Sequence, residues 1–139
     1  MTRRIDLTLS PNWEEVQGMA AVQRLLRRDR ANRNAVEISM TWNQSGKRLN
    51  PRPDPAGLAA TLAANRGATV KDRSEGTCRA GRYGRVVLSL PNLAHGEAWI
   101  LTDDVHMFLA TYTCEVAPTP EEVREVTDMV MSVHWSETP

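Results

Sequence analysis

Two dipeptides limit how this chain can fold: Asp54-Pro55 and Thr119-Pro120. In each, a short polar side chain able to accept hydrogen bonds from free helical N–H groups precedes a proline. The proline's fixed φ suits a first helical position, where its missing donor costs nothing. After Asp54-Pro55 come Leu58, Ala59, Leu62 and Ala63 as an apolar stripe, and Gly67 supplies a stop. This predicts a helix over 54–66 with an Ala-rich face suited to close packing on a sheet. Thr119-Pro120 opens a second helix over 119–133, with Glu122 placed to complete a capping box and Val123, Val126, Val130 and Val133 as its buried stripe.

Outside the helices the apolar residues alternate, which is the strand period. Ile5, Leu7 and Leu9 form one half-buried strand ended by Ser10-Pro11, and Val36, Ile38, Met40 and Trp42 form another. Residues 69–77 read as extended and 85–90 as an apolar strand, with Gly81 and Gly84 marking the turn between them. Residues 99–101 and 107–112 are two further strands, joined by a hairpin turn at Asp103-Asp104. Residues 12–26 have two readings. Asn12 with Glu15 resembles a helix start, yet Gly18 and the turn-like Arg28 to Asn34 favour a hairpin, so 19–26 is either strand or helix. Residues 44–54 are a Pro-punctuated surface crossover. Both helices need one face covered, and an antiparallel sheet meets that need. The expected class is α+β, with about six antiparallel strands packed by two helices.

The chain has 139 residues, 41% of them hydrophobic and 24% charged. That predicts a single domain over 1–139, able to bury roughly two-thirds of its unfolded surface. No apolar run approaches the ~20 residues that span a bilayer. The opening Met-Thr-Arg-Arg-Ile-Asp leads into no apolar stretch, so no signal peptide is read and a cytoplasmic location is expected. The formal net charge is zero, but residues 1–85 carry 16 basic and 8 acidic side chains, whereas 86–139 carry Arg124 alone against nine acidic ones. Mutual neutralisation of two packed halves is the simplest account of this split, and a dipolar surface that attracts an anionic partner is its alternative.

The opening strand ending in Leu9-Ser10-Pro11-Asn12-Trp13 is similar to the strand-Pro-x-Trp start of the PsbP-like superfamily. The closing unit is similar as well: Ala98-Trp99-Ile100, then Phe108 to Cys114, then Thr119-Pro120-Glu121-Glu122 and a helix reaching Met131-Ser132-Val133. The chain thus resembles that superfamily, which includes the extrinsic photosystem protein, a nuclear-import factor and many uncharacterised bacterial proteins. The resemblance implies a PsbP-like sandwich of the bacterial branch and favours the hairpin over 19–42, with the Arg-rich segment at its tip. Many relatives are exported, in contrast to the cytoplasmic reading here. No partner-binding surface of the better-known members carries over residue by residue, so the resemblance speaks to fold more than function.

Chemistry-bearing residues are sparse. Cys78, Cys114, His95, His106 and His134 lack the close pairing of a zinc site, so no metal and no cofactor is expected. The two cysteines could form one disulfide, but a reducing compartment argues against it. There is no nucleophile elbow, and the acidic pairs Asp103-Asp104 and Glu121-Glu122 are explained by turn and cap chemistry. Gly81-Arg82-Tyr83-Gly84 has the Gly-x-x-Gly form of an RNA clamp, but that loop joins helices and its flanks here read as extended. The densest feature is Arg24, Arg27, Arg28, Arg30 and Arg33, broken by Asp29. Guanidinium forks suit carboxylate and phosphate, and no aromatic side chain lies among them to stack on bases.

The expected function is a non-enzymatic cytoplasmic interaction or accessory module that binds another protein, or a second copy of itself, through these arginines. No membrane partner is expected, and nucleic acid is disfavoured. One alternative is a small-molecule-binding protein or an enzyme with a pocket between sheet and helices, walled by Trp42, Trp99, Tyr112 or Trp135. Another is weak nucleic-acid binding through Arg24–Arg33.

Overall fold

Alternating side chains organise most of the chain into one antiparallel sheet. The computed structural model describes residues 2–17, 22–29, 33–41 and 43–138. The strands are β1 (Thr2–Asp6), β2 (Trp13–Gln17), β3 (Val22–Arg27), β4 (Asn34–Thr41), β5 (Thr69–Cys78), β6 (Gly81–Ser89), β7 (His95–Thr102), β8 (Met107–Cys114) and β9 (His134–Thr138). The helices are α1 (Pro55–Asn65) and α2 (Pro120–Met131). Seven strands form a sheet in the order β2-β3-β4-β8-β7-β6-β5, and β1 pairs with β9 in a separate two-stranded ribbon. Two meanders, β2–β4 and β5–β8, meet at a central seam in which Val36 faces Tyr112 and Ile38 faces Ala110.

The α+β class holds, with one more strand in the main sheet than expected and a ribbon beside it. The extra main-sheet strand is β2, where the helix-like start at Asn12 is overridden by pairing of Trp13 with Arg27 and Glu15 with Leu25. The hairpin reading of 22–41 is therefore the correct one. The opening strand ends at Asp6 instead of Ser10, and Leu9 is exposed. After α2 the chain extends again as β9. The two caps form as expected: Asp54 accepts from the Gly57 N–H, and Thr119 from the Glu122 N–H. The Glu122 side chain, however, turns inward, where its carboxylate accepts from Tyr112 Oη and Asn34 Nδ2.

Helices cover both faces, and the two packings differ in depth. One face carries Trp13, Leu25, Val36, Ile38, Trp99, Phe108 and Tyr112 under Val126, Met129 and Val130 of α2, with Val133 just beyond the helix end instead of within it as the sequence predicts. The other carries Val86, Leu88, Ala98 and Ile100 under Ala59 and Ala63 of α1. Gly81 and Gly84 do not jointly mark a turn. The turn is at 79–80, and Gly84 lies within β6, directly beneath the start of α1. A Cβ built there would overlap the backbone of Pro55 and Ala56. The Ala-rich stripe and the missing side chain together let the helix backbone rest almost on the strand.

A second anchor ties the first meander to α2. Glu125 accepts hydrogen bonds from Arg27 Nε at 2.9 Å, Trp13 Nε1 at 3.0 Å and Asn12 Nδ2 at 2.6 Å. The Arg27 and Glu125 side chains are only 9% and 13% exposed, so this is a buried pair. Burial alone would raise the Glu125 carboxyl, but the hydrogen bonds from Arg27, Asn12 and Trp13 outweigh it and hold the pKa below its ordinary value.

These packings make three predictions. Replacing Gly84 by Ala forces α1 off β6 and should cost about 2–3 kcal/mol in urea unfolding. Arg27→Ala strands a buried carboxylate and should cost about 3 kcal/mol, whereas Arg28→Ala should stay within about 0.5 kcal/mol. Because the folded pKa of Glu125 lies below the unfolded one, its contribution is complete above about pH 4.3 and is lost as pH falls through the folded value. Glu125→Gln should therefore flatten part of the acid limb of the stability profile; an unchanged limb refutes this assignment.

Candidate functional site

The five arginines that stand out in sequence do not converge. Arg27 points to the α2 face and is taken up by Glu125 and by Asp29 at 2.7 Å. Arg24, three residues earlier on β3, lies on the opposite face, across from Glu37 of β4, and its buried Nε has no hydrogen-bond partner. Arg28 and Arg33 are exposed in the connection between β3 and β4, and Arg30 lies outside the described residues. A cluster contiguous along the chain is thus divided among an interior pair, an open sheet face and a turn.

The face that receives Arg24 is covered over only part of its width. Seven strands at ~4.8 Å spacing span roughly 29 Å, whereas a helix with its side chains is about 10 Å across. α1 packs on β5, β6 and β7. Beyond its edge the alternate positions of β8 and β4, among them Leu109, Thr111, Thr113 and Ser39, are half-buried, and Glu37 is exposed. These side chains, with Val22 and Arg66, line a trough of about 250 Å³. At the foot of α1 the trough runs into a narrow apolar pit of about 40 Å³ between Leu62, Leu88 and Leu90. Leu62 and Arg66, spaced four residues apart on α1, form the near wall. Arg24 and Arg66 give the trough basic margins, with Glu37 between them.

A second concavity of about 510 Å³ lies between the crossover loop and α1, lined by Leu49, Pro51, Arg52, Leu58, Thr61 and Met107. The β7–β8 turn pins this loop. The Leu49 N–H donates to the Asp104 carbonyl at 2.7 Å, Arg52 donates to the Asp104 carboxylate, and Arg82 bridges that carboxylate and the Pro53 carbonyl. Arg82, and Arg52 beside it, hold the Asp104 carboxyl below its ordinary pKa. Asp104 itself sits at φ 72°, a conformation that Asp tolerates better than most residues.

The remaining chemistry-bearing residues serve packing. Trp99 and Tyr112 are core side chains and Trp135 stacks edge-on against His106, while Trp42 lies outside the described residues. His106 Nδ1 accepts the Asn43 N–H at 3.0 Å. Cys78 and Cys114 are not joined in a disulfide, and burial pushes the Cys78 thiol up, away from nucleophilic use. The trough residues Leu109, Thr111, Thr113 and Arg66 did not stand out in sequence. A faint signal is present in β8: Phe108, Ala110, Tyr112 and Cys114 alternate with a set that drifts from Met107 and Leu109 to Thr111 and Thr113, as on a less covered face.

No family model matches the chain, and no curated protein matches it. Among solved structures, it is similar to the solution structure of cyanobacterial PsbP (CyanoP) from Synechocystis sp. PCC 6803. The TM-score is 0.63 at 11% identity, covering 96% of this chain and 91% of that one. It is also similar to a crystal structure from Bacteroides thetaiotaomicron VPI-5482, at TM-score 0.51 and 11% identity, covering 96% of this chain but 45% of the other. Among the described residues, no helix is long and apolar enough to cross a membrane. At these identities the likeness is one of architecture, and it extends over nearly the whole chain: the chain has a PsbP-like fold.

Proposed function

We propose that the protein is a non-enzymatic cytoplasmic interaction module that binds another protein across the open half of the α1 face. The observation that carries this reading is the mismatch between a seven-stranded sheet and the single helix laid over that face. The mismatch leaves Leu109 and Val22 half-buried beside hydroxyl-bearing Thr111, Thr113 and Ser39. Such a floor offers apolar contact at its centre and hydrogen-bonding groups around it, the mixture found where one protein seats against another. Arg24 and Arg66 at the margins supply guanidinium donors for a partner's carboxylates. Arg28 and Arg33 extend the basic character beyond the trough. Arg27 takes no part, because its fork is used within the fold.

The 510 Å³ concavity beside the crossover loop favours a second reading, binding of a small molecule, since its size lies in the range of ligand pockets.

Affinity capture from the native host separates the two. Three baits are compared: the unaltered protein, Leu109→Glu with Thr111→Lys, and Thr61→Trp, which fills the loop pocket. Circular dichroism establishes that each bait is folded. A protein partner captured by the first and third baits, and reduced at least tenfold on the second, is the expected result. A partner retained equally on all three baits, or none on any, overturns the reading. A small molecule that co-purifies and is lost only with Thr61→Trp establishes the second.

A further inference from the structure

On the α2 face, away from the trough, a buried carboxylate organises two half-exposed side chains. Glu97 has no exposed side-chain surface. Its Oε1 accepts from Arg85 Nε at 2.8 Å and Trp99 Nε1 at 3.1 Å, and its Oε2 accepts from His95 Nε2 at 2.7 Å. The Arg85 guanidinium also lies over the Trp99 ring, 5.4 Å from its centroid, and the His95 ring meets Tyr112 edge-on. The Arg85 and His95 side chains are 20% and 21% exposed. α2 does not close this corner. Its first turn is anchored through Glu122 at Tyr112 and Asn34, and its last turn accepts the Arg79 N–H at the β5–β6 turn. The helix therefore crosses the sheet obliquely and leaves Arg85, His95 and the exposed Ser74 and Asp72 of β5 at the margin.

Arg85 is held by its Nε alone. Among the described residues its two Nη atoms have no hydrogen-bond partner, and neither is a buried unpaired atom. Glu97 does not engage that end because its second oxygen is occupied by His95. A guanidinium fixed at Nε and stacked on an indole has already lost most of its rotamer freedom, and its remaining Nη pair is a planar two-donor fork. A buried ion pair is by itself a poor source of stability compared with apolar residues of the same volume. This one spends its geometry on aiming the fork outward.

We propose that the Arg85 Nη fork is a binding site for an oxyanion, a carboxylate or phosphate group of a small solute. Glu97 and His95 are positioning residues: Glu97 aims the guanidinium, and His95 keeps Glu97 from closing on the fork itself. Asp72, whose charge acts on Arg85 from β5, weakens the site from its rim.

The test is a titration of the protein followed through the Arg85 Nε–H resonance in ¹⁵N spectra. Sodium acetate, sodium phosphate and sodium chloride are the probes, at matched ionic strength. The expected result is a saturable shift with acetate, phosphate or both, at millimolar midpoints, and none with chloride. Saturation by one oxyanion only identifies the ligand class. Asp72→Asn leaves the Glu97 network intact and should lower the midpoint about threefold, the scale of one exposed charge. His95→Gln, which keeps a donor for Glu97, should bind as the unaltered protein does, and His95→Ala should lose saturation while remaining folded. Shifts that are linear, or equal for all three salts, overturn the proposal. So does an Asp72→Asn midpoint no lower than that of the unaltered protein, or saturable binding that persists in Arg85→Gln by tryptophan fluorescence.

Discussion

The fold depends on one carboxylate in the C-terminal helix. Glu125 gathers donors from Asn12, Trp13 and Arg27, so the first meander is fastened to an element almost a hundred residues further along the chain. α1, which lies between the two meanders in sequence, packs on the second one instead. The first meander is thus held by a helix far along the chain and the second by the helix immediately ahead of it. The charge division near residue 85 follows from this exchange. Arg27 with Glu125, Arg52 and Arg82 with Asp104, and Arg85 with Glu97 each join a basic residue of the first stretch to an acidic one of the second. The opposite charges of the two stretches are in part paired across the fold.

Much of this was legible in the amino acids. Asp54-Pro55 and Thr119-Pro120 mark the starts of their helices to within a residue because capping is local chemistry that needs no distant partner. The strands of the second meander were legible in part: β8 alternates cleanly, whereas β7 is buried on both faces, so that only 99–101 read as strand, and β6 begins at Gly81, four residues ahead of the expected 85. Residues 12–26 were not clear, because Asn12 and Glu15 satisfy a helix start locally and only pairing with β3 decides otherwise. Gly84 looked like a turn residue since its true reason, the approach of α1, is a contact across nearly thirty residues. The arginines misled for the opposite reason. Closeness in sequence suggested one patch, whereas strand geometry sends Arg24 and Arg27 to opposite faces. Glu97 gave no sign of its burial, because its charged partner Arg85 reaches it only when β6 and β7 pair.

The two helices solve the same problem by different means. α2 lies over large side chains, with Trp13, Trp99, Phe108 and Tyr112 filling the space beneath it. α1 lies on small ones, with Ala56, Ala59 and Ala63 against a strand whose glycine yields to the helix backbone. A thick layer spreads sideways and covers most of its face, apart from the corner at Arg85. A thin layer covers only the strands directly under it. The open trough is the geometric result of building α1 from alanine.

The ribbon of β1 and β9 places Thr2 opposite Thr138, with Ile5 opposite Trp135 further in. The two ends of the described chain therefore leave the domain side by side, at one edge of the molecule. Any segment joined ahead of Thr2 and any joined after Thr138 would start from the same point, and a pull on both ends at once would peel the ribbon apart pair by pair. The main sheet, which shares no strand with the ribbon, would meet that load only after the last of these pairs had opened.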